Sequence, residues 1–593
     1  MTPSETRSLR GRLLSSTRFA VALLATTALG GTVAYADDDD FHAFRPGDLL
    51  LSKAVYDVSP GAIVAGVTQL PPGCGAANSP CATANTDATY PFVFNNALVD
   101  GTFSVATKIV LDELRSDGDA DLVQSLEVPN STRRGIKANS DQAVTSFESK
   151  SELAINLSVD HRAVSFLGYF APVAALDVSN SNTPFVVDPT NPDTGAIYRV
   201  YADVDRFGRF RFTKTNAFSG DNGRAAILND ANGADVHYGS GNAGSGSGTQ
   251  PVGIIEGGGA QIEVASHLPL SQQIDPGAPT PLGSFNVTEL GIKIDKVGKD
   301  TNFRGLTVFN NVVYFTKGSG GNGVNTVYFV DTSGNAANGN PNACPTTTAA
   351  GGLPNPAATL PTTPIAINNA ANVQTQGVKP FNMCILNGFP TSLAKATTPA
   401  PMFPFGIWFA NATTLYVADE GNGTATFDPN TNTFTAAASQ TTAGLQKWVL
   451  ENGAWSMKYT LRAGLNLGVP YTVKNYPTGN NAATGQPWSP ATDGLRNLTG
   501  RVNRDGTATI WAVTSTVSGS ADQGADPNKL VMITDKLSAT ALPAGESFRT
   551  VRAAKAGEVF RGVSFTPGTG LDREASCLFD RDDCGGRGGH DHD

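Results

Sequence analysis

Two Phe-Arg-Gly triplets, Phe303-Arg304-Gly305 and Phe560-Arg561-Gly562, each open a short apolar run and each offer a guanidinium. A guanidinium presents a planar fork of N–H donors that matches the paired oxygens of a carboxylate or a phosphate, so Arg304 and Arg561 are candidate anion clamps. Lys317 ends the run Val312-Val313-Tyr314-Phe315-Thr316-Lys317, and the pair Asp419-Glu420 ends Leu415-Tyr416-Val417-Ala418-Asp419-Glu420. Neighbouring carboxylates suit acid–base work or a hard cation. His237, in Asp235-Val236-His237-Tyr238, adds an imidazole ahead of Gly239-Ser240-Gly241-Asn242. The same residues have an architectural reading. Arg-Gly at the start of a strand lets backbones approach while the Arg pairs with a nearby carboxylate, and Asp before Gly-Asn-Gly is ordinary turn chemistry.

Other motifs point less far. Asp117-Gly118-Asp119-Ala120-Asp121 begins like a calcium loop, but its sixth position is Leu122 and its twelfth is Val128, where that loop needs Gly and Glu. Asp428-Pro429-Asn430-Thr431-Asn432 offers oxygens and reads as a tight turn. The tail His590-Asp591-His592-Asp593 alternates imidazole and carboxylate on a flexible stretch and reads as a weak ligand for a soft divalent ion or as plain solvated chain. There is no Gly-x-Ser-x-Gly, no His-Glu-x-x-His and no Gly-x-x-x-x-Gly-Lys. Before the tail the histidines are His42, His161, His237 and His267, too few for a multi-histidine centre. No metal ligand and no cofactor is assigned, and a divalent cation such as calcium is left open.

Residues 1–36 have the form of an export signal. Arg7, Arg10, Arg12 and Arg18 precede the apolar run from Phe19 to Leu29, and Ala34-Tyr35-Ala36 supplies a cleavage site. The run is shorter than the roughly 20 residues a membrane span needs and is dotted with Thr, so the mature chain is expected to have no span, with a retained N-terminal anchor as the alternative. Removal of residues 1–36 leaves 38 basic against 51 acidic residues, a formal charge of −13. An acidic chain with no Lys/Arg cluster is a poor partner for nucleic acid. Export permits disulfides, and the six cysteines fall into neighbouring pairs, Cys74 with Cys81, Cys344 with Cys384, and Cys577 with Cys584, among the 15 pairings six cysteines allow.

The elements that must position the charged residues are strands. Short runs rich in Val, Phe, Tyr and Thr alternate with Gly, Asn, Asp and Ser clusters, and no segment keeps helical apolar spacing. An internal repeat organises them. Phe303 to Phe309, Val312 to Gly318 and Thr326 to Val330 run in the same order as Phe405 to Phe409, Thr414 to Gly423, Gly444 to Leu450 and Trp455 to Leu461. Phe560 to Phe565 repeats the first strand alone, and Asp48 to Tyr56 is expected to supply the second and close a ring.

The chain is therefore expected to be all-β, a single β-propeller of about six four-stranded blades, with seven as the alternative count. The composite blade adds Thr107 to Leu114 and Leu122 to Val128. The rest fall at Phe147 to Lys214, with a turn at Asp205-Arg206-Phe207-Gly208, then at 220–296, 300–392, 402–463 and 497–552. The organisation reads as signal peptide 1–36, acidic segment 37–45, propeller 46–570 and Gly/Asp/His-rich tail 571–593. The segments 57–105 and 331–401 are too rich in Pro, Asn and Ala for extra strands and read as lids, partner-binding loops or ornament.

Phe405-Gly406-Ile407-Trp408-Phe409 followed by Leu415-Tyr416-Val417-Ala418-Asp419-Glu420-Gly421-Asn422-Gly423 resembles an NHL-type propeller repeat, and 303–330 resembles it in part, with Thr316-Lys317 in place of Ala-Asp. That resemblance implies a six-bladed superfamily containing both protein-binding scaffolds and exported lactonase-like enzymes. In a propeller the second strand of each blade ends on the upper face. Arg304, Arg561, Lys317, Asp419, Glu420 and His237 are accordingly expected around one mouth. The expected function is a secreted or periplasmic binding module, a monomer taking a protein, glycan or small ligand on its upper face. The alternative is a divalent-cation-dependent, lactonase- or esterase-like hydrolase with its site at the central channel.

Overall fold

Strands form where β-branched and aromatic residues cluster, and the residues between them reverse the chain. Phe303–Phe309 and Val312–Lys317 are joined by Asn310 and Asn311, both at positive φ, 48° and 61°, the tight reversal whose twist suits paired strands. The predicted turn at Asp205–Gly208 is present: Gly208 has φ 72°, and its N–H donates to the Asp205 carbonyl at 3.0 Å. Asp428 Oδ1 accepts from the Asn430 N–H at 2.9 Å, in a turn between the short strands Phe427–Asp428 and Thr433–Phe434.

In a computed structural model of the chain, the described residues are 41–571 except 59–60, 76–80, 88, 99–102, 138, 192, 194, 245–248, 269–281, 285–294, 333–359, 366–369, 379–381, 397–398 and 521–522. They form a six-bladed β-propeller of antiparallel sheets. Blade 1 is composite, with Glu558–Phe565, Leu49–Val55, Ala106–Leu114 and Leu122–Glu127 in order. The register runs from Leu49 opposite Phe565 to Val55 opposite Glu558, so a strand from near the start of the chain closes the ring on one from near its end.

Blade 2 is Asn156–Leu157, Ala163–Tyr169, Arg199–Asp205 and Phe210–Thr215. Blade 3 is Gly223–Asn229, Val236–Gly241, Ala260–Val264 and Leu282–Ser284. Blade 4 is Phe303–Phe309, Val312–Lys317, Thr326–Val330 and Met383–Ile385. Blade 5 is Pro404–Asn411, Thr414–Asp419, Gly444–Glu451 and Ala454–Leu461, and blade 6 is Ala491–Val502, Thr507–Val517, Lys529–Lys536 and Arg549–Ala553. The inner strand of blade 6 starts at Ala491, ahead of the expected 497.

The first strands of the six sheets touch their neighbours in a closed cycle and line the axis. Small residues allow this. A Cβ on Gly305 would stand 1.9 Å from the Phe405 carbonyl oxygen, one on Gly406 2.5 Å from that of Arg496, and one on Gly562 2.5 Å from that of Leu153. Ala154 bridges to Ala225, and the Val563 N–H donates to Asn497 Oδ1 at 2.7 Å. The apolar core lies between the blades: Phe166 and Val200 of blade 2 pack with Leu50 and Ile109 of blade 1, and Trp511 of blade 6 packs with Leu49 and Phe560 of blade 1. This burial is the main favourable term holding blade to blade.

The described part of 57–105 differs from expectation by adding the two-residue strands Gln69–Leu70 and Ala82–Thr83 and a turn of 3-10 helix at Phe92–Leu98. Val93, Phe94 and Phe103 bury against Ala54 and Phe147. Cys74 and Cys81 form a disulfide, and Cys384 is disulfide-bonded; Cys344, Cys577 and Cys584 lie outside the described residues, as do the signal segment and the His/Asp tail. Among the described residues no helix is long and apolar enough to cross a membrane.

Because the neighbour at Gly305 is backbone and cannot swing aside, Gly305→Ala should destabilise the propeller by about 3 kcal/mol or more in urea unfolding, at the upper end for an overpacked site. Wild-type stability in that variant would mean that the inner strands are free to spread.

Candidate functional site

Inner strands begin, and second strands end, on the same face of the disc, here called upper. Close approach of the inner strands puts one residue of each blade at an equivalent height, just before the small residue at the contact. These are Leu153, Arg224, Arg304, Phe405, Arg496 and Arg561, so four of the six blades place a guanidinium there. All four are buried. A buried charge needs a counter-charge or a set of hydrogen bonds, and the four differ in how they are satisfied.

Arg561 Nη2 donates to the carbonyls of Gly524, at 3.0 Å, and Phe147, tying blade 1 to neighbouring connections. Arg496 Nε stands 3.3 Å from Glu420 Oε2, an ion pair across blades 5 and 6. Burial acts to raise the pKa of Glu420, but Lys150, Arg304 and Arg496 outweigh it and hold the carboxyl below its ordinary value. Arg224 donates from Nε to Asn222 Oδ1 at 2.7 Å and from Nη1 to the Phe303 carbonyl at 2.8 Å, with Asp221 Oδ1 3.5 Å from Nη2. Arg304 is different. Its Nη2 donates to Ser319 Oγ, its Nε is buried with no partner, and no carboxylate lies within 4.0 Å of it among the described residues. Burial first, then repulsion from Arg224, holds Arg304 well below the ordinary arginine range, and the attraction of Glu420 and Asp221 does not offset them.

Arg224 and Arg304 line a cavity of about 570 Å³ on the upper face, built from blades 2, 3 and 4. Blade 2 contributes the approach to its inner strand, residues 148–151, and the second-to-third-strand connection at Ser179 and Asn180. Blade 3 contributes Asp221, Asn222 and, after its second strand, Asn242. Blade 4 contributes Lys299 and Asn302 before its inner strand and Gly320 and Asn322 after its second. The polar lining is cross-braced: Asn242 Nδ2 donates to Asp221 Oδ2 at 2.6 Å, and Asn222 Nδ2 to Ser149 Oγ at 2.6 Å. Lys299 Nζ donates to the Gly244 carbonyl, and burial holds its pKa below the ordinary lysine value.

Of the residues expected at the mouth, Arg304 alone is on the cavity wall. Glu420 is not on the cavity wall and is paired with Arg496. Lys317 is fully buried and donates to Asn325 Oδ1 at 3.0 Å and the Ser319 carbonyl at 3.1 Å. Asp419 closes its own turn, accepting from the Phe403 N–H at 2.9 Å, the Gly421 N–H at 3.0 Å and Gln446 Nε2 at 3.0 Å, and burial raises its pKa to about 6. His237 stands opposite Leu228, toward the lower end of blade 3, with Nε2 2.9 Å from Asp203 Oδ2 and its ring stacked on Tyr201. Asp235 pairs with Arg211 at 2.7 Å. The strand Val236–Gly241, which Asp235 immediately precedes and which carries His237 near its start, runs upward, so both residues face away from the upper mouth.

Sequence reasoning missed Arg224, Arg496, Lys299 and Lys150. Arg224 and Arg496 hold the same place as Arg304 but lack the Phe-Arg-Gly triplet, so only the register of the inner strands aligns them. Comparison with known proteins finds no family model that matches the chain and no curated protein that matches it.

Asp493, at the start of blade 6, accepts from the Gly423 N–H at 2.8 Å and from Gln440 Nε2, and burial raises its pKa to about 7. A carboxyl whose pKa rises on folding favours the fold below about pH 4 and loses that contribution as pH climbs through 7. Asp493→Asn removes this dependence. Relative to wild type the variant should gain about 2–3 kcal/mol between pH 5 and pH 8, read from urea unfolding at both pH values. A parallel pH profile would show that Asp493 is ionised in the fold throughout.

Proposed function

We propose that this chain is an exported, secreted or periplasmic, binding module that takes a small polar ligand in the cavity of blades 2, 3 and 4. The observation that carries the reading is the cavity itself. It lies in the size range of small-molecule sites and is walled by fixed side chains from the starts of inner strands and from second-to-third-strand connections, the parts of a propeller free to carry recognition. Kinship with NHL-type interaction propellers, suggested by residues 405–423, is in keeping with a binding role.

The hydrolase alternative draws no support from the two carboxylates considered for it, Asp419 and Glu420. Among the described residues no three His, Cys, Asp or Glu side chains stand together in a way that could hold a metal ion. The oxygens of Asp419 are taken by backbone and Gln446 donors, and Glu420 is taken by Arg496.

Asn322 is half-buried on the cavity wall, so Asn322→Trp should fill the cavity and spare the core. In a thermal-shift panel of monosaccharides, organic acids, amino acids and sugar phosphates, at least one compound should raise the melting temperature of wild type and leave that of Asn322→Trp unchanged. Equal responses from the two proteins would place binding elsewhere. For the export reading, N-terminal sequencing of protein recovered outside the cytoplasm should begin at Asp37, and recovery of intact chain from the cytoplasm would overturn it.

A further inference from the structure

The cavity lining reverses the charge of the molecule. The chain carries a formal −10, yet the charged residues on the wall are four cations, Lys150, Arg224, Lys299 and Arg304, against two carboxylates, Glu148 and Asp221. Asp221 is engaged by Asn242 and lies close to Arg224. The excess is therefore positive, and it concentrates at Arg304, a guanidinium with a buried, unpartnered Nε. A desolvated cation with no carboxylate in direct contact attracts an oxyanion far more strongly than a solvated one does.

The remainder of the wall is amide and hydroxyl. Five asparagines and three serines surround the cations, and no aromatic or large aliphatic side chain is among the described residues of the lining. A flat or greasy ligand would find nothing to stack on or bury against. A ligand bearing several hydroxyls would meet donors and acceptors on each side.

We propose that the cavity binds a hydroxyl-rich organic oxyanion, its carboxylate or phosphate on the Arg304 fork and its hydroxyls on the asparagine and serine side chains of blades 2, 3 and 4. This rests on the binding-module reading and specifies the ligand class of the same cavity. Arg561 and Arg496 are not on the cavity wall and take no part.

Titration calorimetry of the purified chain with glucuronate, glucose 6-phosphate, glucose and inorganic phosphate tests it. Glucuronate or glucose 6-phosphate should bind at least tenfold more tightly than both glucose and inorganic phosphate, and the better of the two identifies the acidic group. Its affinity should fall as salt rises. Arg304→Met should weaken that anion at least tenfold while leaving the melting temperature of the ligand-free protein equal or higher, because the variant removes an unpaired buried charge. Arg304→Lys, which keeps charge without the fork, should recover little.

Glucose binding as tightly as either sugar anion, with Asn322→Trp abolishing it, would leave the cavity as the site and overturn the anion class. Inorganic phosphate binding as tightly as glucose 6-phosphate would overturn the role of the hydroxyls. Sugar-anion binding unchanged in both Arg304→Met and Asn322→Trp would overturn this proposal and the cavity reading together. No binding of either sugar anion would overturn the ligand class, and the wider panel would then decide the cavity reading.

Discussion

Neighbouring inner strands approach so closely that a methyl group on Gly305 would collide with the carbonyl of Phe405, and the rest of the molecule is arranged around that contact. The same closeness recurs where Gly406 meets Arg496 and Asn497 and where Gly562 meets Leu153 and Ala154. Six strands held this tightly in a cycle leave little freedom in blade count or tilt. The final join, Leu49–Val55 against Glu558–Phe565, then removes the free edge that an open row of sheets would expose. Interblade packing of Phe, Tyr, Trp and aliphatic residues holds the blades in that geometry.

Repeating one strand around an axis also repeats whatever side chain precedes the contact. Four arginines at one height would repel one another in a low dielectric, so each needs its own relief. Arg496 finds it in the carboxylate of the preceding blade, Arg561 in carbonyls, and Arg224 in Asn222, Asp221 and the backbone of blade 4. Several of these partners, Glu420, the Phe303 carbonyl and the Gly524 and Phe147 carbonyls, come from neighbouring blades or connections, so ring closure and upper-face chemistry are coupled. Arg304 donates from Nη2 to Ser319 Oγ and has no carboxylate within 4.0 Å among the described residues, and the cavity opens beside it.

Elsewhere in the propeller buried charges knit blades together. Lys447 and Asp535, both fully buried, meet at 2.9 Å with Tyr459 donating to the same carboxylate at 2.7 Å, across blades 5 and 6. Asp203 of blade 2 holds His237 of blade 3, and Lys53 holds Asp112 at 2.8 Å within blade 1. In each pair the carboxylate also accepts from a neighbouring hydroxyl, Tyr459 on Asp535, Ser165 on Asp203 and Ser125 on Asp112, which offsets part of the cost of burying it.

The all-β class, the strand rhythm of about six blades, the ring-closing strand at Leu49–Val55 and the place of Arg304 at a strand start are legible in the sequence, and adjacency favours the Cys74–Cys81 pair. These follow from local signals: β-branched and aromatic runs, turn residues with positive φ, and a repeated Phe-Arg-Gly. Only the tertiary structure decided which charges share a cavity. Arg224 and Arg496 become equivalents of Arg304 through strand register, and Lys150 and Lys299 join through connections of different blades. His237 faces Asp203 because its strand runs from the lower face upward, and Asp419 and Lys317 turn inward to satisfy their own loops. Strand periodicity is a property of neighbours in sequence, whereas a site on a propeller face is assembled from residues of several blades that meet only when the ring closes.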